Sequence, residues 1–378
     1  MPLRLSSAGR TRVMGGASNS LRPPMIVFGC SSFPQMSKGV CDILGITEGN
    51  LAINHPTNKE TDVEINEFVR SKEVFIISSG SCEDINNTIM ELLIVIYACK
   101  TNSARKIIAV IPYLPYSRQC KMRKRGCITA KLVAKLLCNA GVNHLITMDL
   151  HHKEIQAFFD CSVDNLRASP FIIQYILDSI PSYQNAVIIA KSPDATRRAS
   201  SYAERLQLDI AVIHGEEKNE GEEYSDDGRS SPPPSCSFSQ QIFCFDYPGT
   251  VPQTVPKVKP PIKVVGDVSG KTAIFVDDMI DEARTFIDAA RLLKLHGATN
   301  CYVMVTHGIL SGQAPEELAE CEAIDEVVVC NTTPIGDKTV RCPKLKVIDV
   351  SIMIAEAIRR IHNGESMAHL YQNIRGDD

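Results

Sequence analysis

Short stretches of Val, Ile, Leu and Phe, apolar at nearly every position, recur along the chain, and each ends in a polar cluster. A half-exposed strand would alternate apolar and polar residues. An unbroken run of five or six fits a strand covered on both faces, as in a parallel sheet. The pattern predicts strands over 25–30, 74–79, 106–111 and 144–148 in the first half. In the second half it predicts strands over 185–190, 210–213, 272–276, 301–305 and 326–330. Between them, apolar residues recur every three or four positions and predict helices over 87–100, 129–140, 197–206, 285–296 and 352–362. This alternation is the grammar of an α/β fold, and at 378 residues it points to two doubly wound domains of ordinary size.

Two segments depart from that grammar. Residues 215–261 place seven acids between Glu216 and Asp227 against one base, Lys218, and eight prolines follow. Such a stretch buries too little apolar surface to offset its ordering entropy, and it is expected to be a disordered or loosely docked insert. Phe243 and Phe245 are its candidate anchors, and Ser231, followed by Pro232, is a candidate phosphosite or a plain surface serine. The first 24 residues carry Arg4, Arg10, Arg12 and Arg22, several serines and no acid. A transit peptide has this composition, but Gly15-Gly16 and Pro23-Pro24 disfavour an amphipathic helix, so a disordered tail is expected. The expected organisation is a tail at 1–24, a first domain at 25–166, a second at 167–350 interrupted by the insert, and a C-terminal helix and tail at 351–378.

Composition narrows the function. A net charge of −4 gives no global case for nucleic-acid binding. No apolar run reaches the roughly 18 residues of a membrane span. Fourteen cysteines are scattered without C-x-x-C pairs or Cys/His ligand spacing. With no signal peptide ahead of them, they read as reduced thiols of a cytoplasmic protein.

The chemistry is concentrated at predicted strand ends, where α/β sheets place their ligands. In "MDLHHKEIQAFFDCSVDNL" (148–166), Asp149, His151, Asp160 and Asp164 lie at and beyond the end of a strand. Carboxylates and an imidazole there are suited to Mg²⁺, directly or through water, with ATP phosphates completing the octahedron; a polar strand-end cluster without metal is the other reading. In "VDDMIDEART" (276–285) a strand delivers Asp277 and Asp278 to a loop that precedes a helix. Such a loop usually needs small residues, so that backbone N–H groups reach a phosphate.

The stretch 148–166 resembles the signature of the ribose-phosphate pyrophosphokinases, which transfer pyrophosphate from Mg-ATP to ribose 5-phosphate. The resemblance continues through "NKETDVEI" (58–65), "MELLIVIYACK" (90–100), "AVIPYLPYSRQ" (109–119), "VVGDVSGKTAIFVDDM" (264–279), "THGILSG" (306–312) and "EAIRRIHNGES" (356–366). It spans about 25–374 apart from the insert. It implies two tandem phosphoribosyltransferase-type domains, each a mainly parallel sheet flanked by helices, assembled into dimers and hexamers. Carried across by position, it implies adenine-site residues Asn58 and Glu60, ATP contacts Arg118 and Gln119, metal-site residues His151 and Asp194, and a ribose-phosphate loop containing Asp277, Asp278, Asp281 and Thr285.

Several positions depart from the active pattern. Glu282-Ala283-Arg284 replaces a small Thr- and Gly-containing phosphate loop. A carboxylate about 4 Å from a phosphate charge, at an effective dielectric of about 20, is repelled by about 4 kcal/mol per charge pair. Arg284 also takes the place of a glycine that allows close backbone approach. Ribose 5-phosphate binding is therefore expected to be weakened or lost, unless Glu282 simply points to water and favours the helix dipole. Gly215 and Glu217 stand where active members carry the Lys and Arg that neutralise the transferring phosphoryl group. Pro56 replaces an adenine-stacking aromatic, Cys120 follows Arg118-Gln119 in place of Asp, and a Gly-Gly is missing after Asp194-Ala195. The basic stretch 118–126 reads equally as a phosphate contact and as a solvated loop.

Together these features resemble the non-catalytic, synthetase-associated branch of the family in animals, expected to bind catalytic synthetase subunits in homo- and hetero-oligomers and restrain them. Mg²⁺ with ATP or ADP is then weakly held or vestigial. An active pyrophosphokinase with unusual loops and a nucleotide sensor are the alternatives.

Overall fold

The computed structural model describes residues 23–80, 84–122, 126–214 and 263–371. The tail before residue 23 and the acidic, proline-rich insert lie outside them.

The first half runs β1 (Met25–Gly29), α1 (Pro34–Leu44), a hairpin of β2 (Leu51–Asn54) and β3 (Asp62–Ile65), β4 (Glu73–Ile77), α2 (Ile85–Thr101), β5 (Lys106–Ile111), α3 (Thr129–Ala140), β6 (His144–Met148) and β7 (Ser162–Leu166). The sheet has the order β1-β4-β5-β6-β7 and every pairing in it is parallel. The second half continues with α4 (Ser169–Ser179), β8 (Ala186–Ala190), α5 (Thr196–Leu206), β9 (Asp209–His214), β10 (Lys263–Val265), β11 (Thr272–Ile280), α6 (Arg284–Leu295), β12 (Cys301–Gly308), α7 (Ala314–Glu320), β13 (Glu326–Cys330), α8 (Lys338–Arg341), β14 (Leu345–Ile348), α9 (Ser351–Asn363) and α10 (Ala368–Tyr371). Its seven-stranded sheet has the order β10-β9-β8-β11-β12-β13-β14, parallel except for the antiparallel β10–β9 edge.

The predicted strands are present because each was a run that water must not reach: β8 is buried at all five positions and β5 at five of six. β7 escaped prediction because Asp164 and Asn165 break its apolar pattern; it is an edge strand, where polar residues are tolerated. β11 runs further than its apolar stretch suggests. Met279 and Ile280 continue in register opposite His307 and Gly308 of β12, so the two aspartates lie inside a strand rather than in the loop after it.

One core joins the halves. Val27 and Ile146 from the first sheet, Ile188 and Met304 from the second, and Met36, Ile176, Tyr202 and Ile358 from α1, α4, α5 and α9 belong to a single apolar cluster. Separate clusters cover the outer face of each sheet, under α2 and α3 on one side and under α6 and α7 on the other. The C-terminal helix returns to the first half: α9 packs along α1, Ser351 Oγ donates to Met36 Sδ at 3.4 Å, and His362 Nδ1 donates to Glu73 Oε2 at 2.9 Å. α9 ends at Gly364, whose φ of 61° is the left-handed conformation that glycine adopts without a Cβ penalty.

Ile358, fully buried on α9, tests whether this shared core carries the fold. Ile358→Ala is expected to cost about 2–5 kcal/mol in urea unfolding, whereas Ile352→Ala, at an exposed position of the same helix, changes stability by less than about 0.5 kcal/mol.

Candidate functional site

The carboxyl ends of β6 and of β11 and β12 face one another, and the side chains there join the two halves. Asp149 follows β6 and is buried. Its φ of 39° is a left-handed conformation that aspartate tolerates better than most residues. Its carboxylate accepts hydrogen bonds from the Ala168 N–H at 3.0 Å and from Thr306 Oγ1 at 2.8 Å, and Arg167 lies 3.6 Å away. His307, fully buried, donates from Nε2 to the Met148 carbonyl at 3.1 Å, and the Thr332 hydroxyl sits 2.8 Å from its Nδ1. Burial holds the imidazole below its ordinary pKa, despite the nearby Asp149 and Asp278 carboxylates. Ser79 Oγ donates to the Thr332 carbonyl at 2.5 Å and closes the same seam.

Successive strand residues point to opposite faces, so Asp277 and Asp278 meet different partners. Asp277 pairs with Lys191 at 3.0 Å, and that ammonium also lies 4.1 Å from the Phe286 ring centroid on α6. Burial raises the Asp277 pKa, with Lys191 opposing the rise and Asp278 adding to it. Asp278 accepts from His151 Nδ1 at 2.6 Å and has Arg198 at 3.7 Å. Burial alone would raise its pKa, but the His151 hydrogen bond and the Arg198 charge outweigh it and hold the carboxyl well below its usual range. Beyond β11, Asp281 takes the third cation: Arg118 Nη1 lies 3.1 Å from its Oδ2, and Arg118 Nε donates to Met279 Sδ at 3.1 Å. The other Asp281 oxygen is buried without a hydrogen-bond partner among the described residues.

The predicted site residues thus divide. Asp149, His151, Asp277, Asp278, Asp281 and Arg118 converge at the seam. Asn58 and Glu60 sit exposed at the β2–β3 tip and bond to each other, Asn58 Nδ2 to Glu60 Oε2 at 2.8 Å. Gln119 accepts from Thr129 Oγ1 at 2.6 Å, at the start of α3. Asp164 lies within β7, bonded to His144 Nε2 at 2.7 Å, and Asp160 is exposed in the connection before that strand. A parallel strand begins at the edge opposite its end, so neither residue reaches Asp149. Glu282, Arg284 and Thr285 are exposed, and α6 begins after the buried Ala283 without a side-chain cap. Asp194 falls in the short turn Pro193–Ala195, its side chain outside the description. Gly215, Glu217 and Ser231 lie outside the described residues.

This donor set does not fit a protein-built metal cage. Asp149, Asp277 and Asp278 are each committed to protein donors, and among the described residues no group of three or more His, Cys, Asp or Glu side chains is arranged to hold an ion. The arrangement suits anions better. A cleft on the α5 side of Asp149 is lined by Lys153, Arg167, Ser169, Arg197, Arg198 and Ser201, along with Asp149 and Glu154.

Sequence reasoning missed Lys191, Arg198, Thr306 and His307. The signal was available for three of them, since Lys191 directly follows the predicted apolar strand 185–190 and Thr306-His307 follow 301–305, at strand ends where polar residues face the ligand edge. Arg198 carried no such mark; only folding brings it against Asp278.

Two tandem parallel sheets with a carboxylate-rich seam between their strand ends define a protein of the ribose-phosphate pyrophosphokinase architecture. A model of the N-terminal domain of ribose phosphate pyrophosphokinase matches residues 25–141, and a model of the phosphoribosyl synthetase-associated domain matches residues 182–372. Phosphoribosyl pyrophosphate synthase-associated protein 2 of Homo sapiens is 54% identical over 348 residues, covering 92% of this chain and 92% of that one. Phosphoribosyl pyrophosphate synthase-associated protein 1 of Bos taurus is 53% identical over 364 residues, covering 95% of this chain and all of its own length. The crystal structure of phosphoribosylpyrophosphate synthetase from Mycobacterium smegmatis superposes with a TM-score of 0.75 at 32% identity, over 90% of this chain and 99% of that one. The chain belongs to the phosphoribosyl pyrophosphate synthase-associated protein family.

The Thr306–Asp149 bond tests the seam. Thr306→Val keeps the shape and removes the donor, and is expected to cost about 1.5–3 kcal/mol, the worth of a hydrogen bond to a charged group. Thr306→Ser, which keeps the hydroxyl, is expected to lose less in the same denaturant titration.

Proposed function

We propose that this chain is a non-catalytic regulatory subunit that associates with catalytic phosphoribosyl pyrophosphate synthetase in the cytoplasm, as a hetero-oligomer, and restrains nucleotide biosynthesis at that step. The observation that carries the reading is the state of the seam. Arg118, at the position that contacts ATP in active relatives, is engaged by Asp281, Asp277 is paired with Lys191 and Asp278 with Arg198, and His151 hydrogen-bonds Asp278. Anions that a substrate phosphate must displace already occupy these cations.

The sequence departures point the same way. Gly215 and Glu217 replace two cations of the transfer loop, and loss of one preorganised donor alone costs about 10²–10³ in rate. Glu282 and Arg284 remove the compact loop that would cradle a 5-phosphate. The names of the relatives, which describe association with the synthetase, support the partner. The preserved core and the return of α9 to α1 support a chain that kept its fold while its chemistry lapsed. Among the described residues no helix is long and apolar enough to cross a membrane.

A weakly held Mg-ATP or Mg-ADP is part of this reading. The ion would arrive on the nucleotide, and the phosphates would compete with Asp281 for Arg118 and meet the basic cleft beside Asp149. Such binding without turnover makes the chain a sensor as well as a subunit.

Turnover by the purified chain tests the reading. With Mg-ATP and ribose 5-phosphate it is expected to form product at least about 10⁴-fold more slowly than an active synthetase, the combined loss of two donors. Gly215→Lys with Glu217→Arg should not restore it, whereas adding Glu282→Thr and Arg284→Gly should raise the rate measurably. Ordinary turnover by the unmodified chain would show that it is a synthetase.

A further inference from the structure

Two thiols of this chain touch. Cys138, near the end of α3, and Cys161, in the connection just before β7, have their sulfurs 3.8 Å apart. Both are half-buried, unlike the fully buried Cys30, Cys99, Cys301 and Cys330 that serve as small core residues. A disulfide needs the sulfurs at about 2.0 Å, so they must approach by about 1.8 Å from their present contact.

The position of the pair gives the contact a consequence. The chain between the two cysteines contains β6, Asp149, His151 and the turn that follows them. A bond between the ends of this segment fixes one side of the seam against both α3 and the β7 edge. We propose that Cys138 and Cys161 form a reversible disulfide, a redox modification site that clamps the segment bearing Asp149 and His151.

The oxidant class is a low-molecular-weight disulfide such as glutathione disulfide. In the proposed exchange the Cys138 thiolate makes the first attack. Its sulfur bonds to one glutathione sulfur and expels the other as a thiol. The Cys161 sulfur then attacks the Cys138 sulfur of this mixed disulfide and expels the second glutathione. Two protein thiols are oxidised, one glutathione disulfide is reduced, and the two thiol protons end on the two glutathione molecules.

Trypsin cuts after Lys135, Lys153 and Arg167, which places Cys138 in peptide 136–153 and Cys161 in peptide 154–167. After treatment of the full chain with glutathione disulfide, mass spectrometry of an unreduced digest is expected to find these two peptides joined, and dithiothreitol to separate them. Amide hydrogen exchange across 141–160 should slow at least fivefold on oxidation and recover on reduction. Cys161→Ser and Cys161→Ala should each leave Cys138 as a mixed disulfide with glutathione and abolish the slowing. The proposal fails if both cysteines remain free thiols under conditions that modify the exposed Cys127, or if the joined chain exchanges across 141–160 as fast as the reduced one. These outcomes do not depend on the proposed regulatory role.

Discussion

The Asp149 carboxylate is buried where the two sheets meet, and removing a carboxylate from water costs several kcal/mol unless protein donors replace its hydration. Here they come from two places: the Ala168 N–H and Arg167 from the connection between β7 and α4, and Thr306 from β12 in the second half. The need to satisfy this one charge fixes how the strand ends of one sheet approach those of the other. His307 binds the Met148 carbonyl and Ser79 the Thr332 carbonyl along the same line, and His151 reaches Asp278 from the turn that Asp149 begins. The unusual backbone at Asp149 is tolerated because so many partners hold it.

The same seam sets the charges that any phosphate arriving between the halves would meet. Phosphoryl transfer depends on cations and hydrogen-bond donors that are free to meet charge as it develops. At this seam the cations meet the protein's own aspartates, Lys191 with Asp277, Arg198 with Asp278 and Arg118 with Asp281, and the His151 imidazole hydrogen-bonds Asp278. Two of these contacts, His151 with Asp278 and Arg118 with Asp281, cross between the halves, whereas Lys191–Asp277 and Arg198–Asp278 lie within the second half. An anion that binds these groups must repay the ion pairs it breaks.

Much of the architecture was legible in the sequence because covered parallel strands leave a strong mark, the unbroken apolar run. Every such run became a strand. β7 and the β2–β3 hairpin were invisible because edge and hairpin strands need no such run, and Asp164 looked like a ligand when it was a strand residue paired with His144. The strand-end rule found Asp149, His151, Asp277 and Asp278. It did not match them to their partners, because Lys191 reaches Asp277 through the pairing of β8 with β11, and Arg198 and Thr306 arrive on α5 and β12. Nor could it predict that Asp277 and Asp278 serve opposite faces, which follows from β11 continuing through them to Ile280. The departures at Glu282 and Arg284 were readable as chemistry, and the fold leaves both side chains exposed around the start of α6.

The most direct measurement is a titration of the purified chain into an active phosphoribosyl pyrophosphate synthetase, following product formation at fixed Mg-ATP and ribose 5-phosphate. The account predicts a saturable fall in the partner's rate, with the chain silent on its own. A partner rate unchanged at all concentrations, with no complex formed, would contradict it.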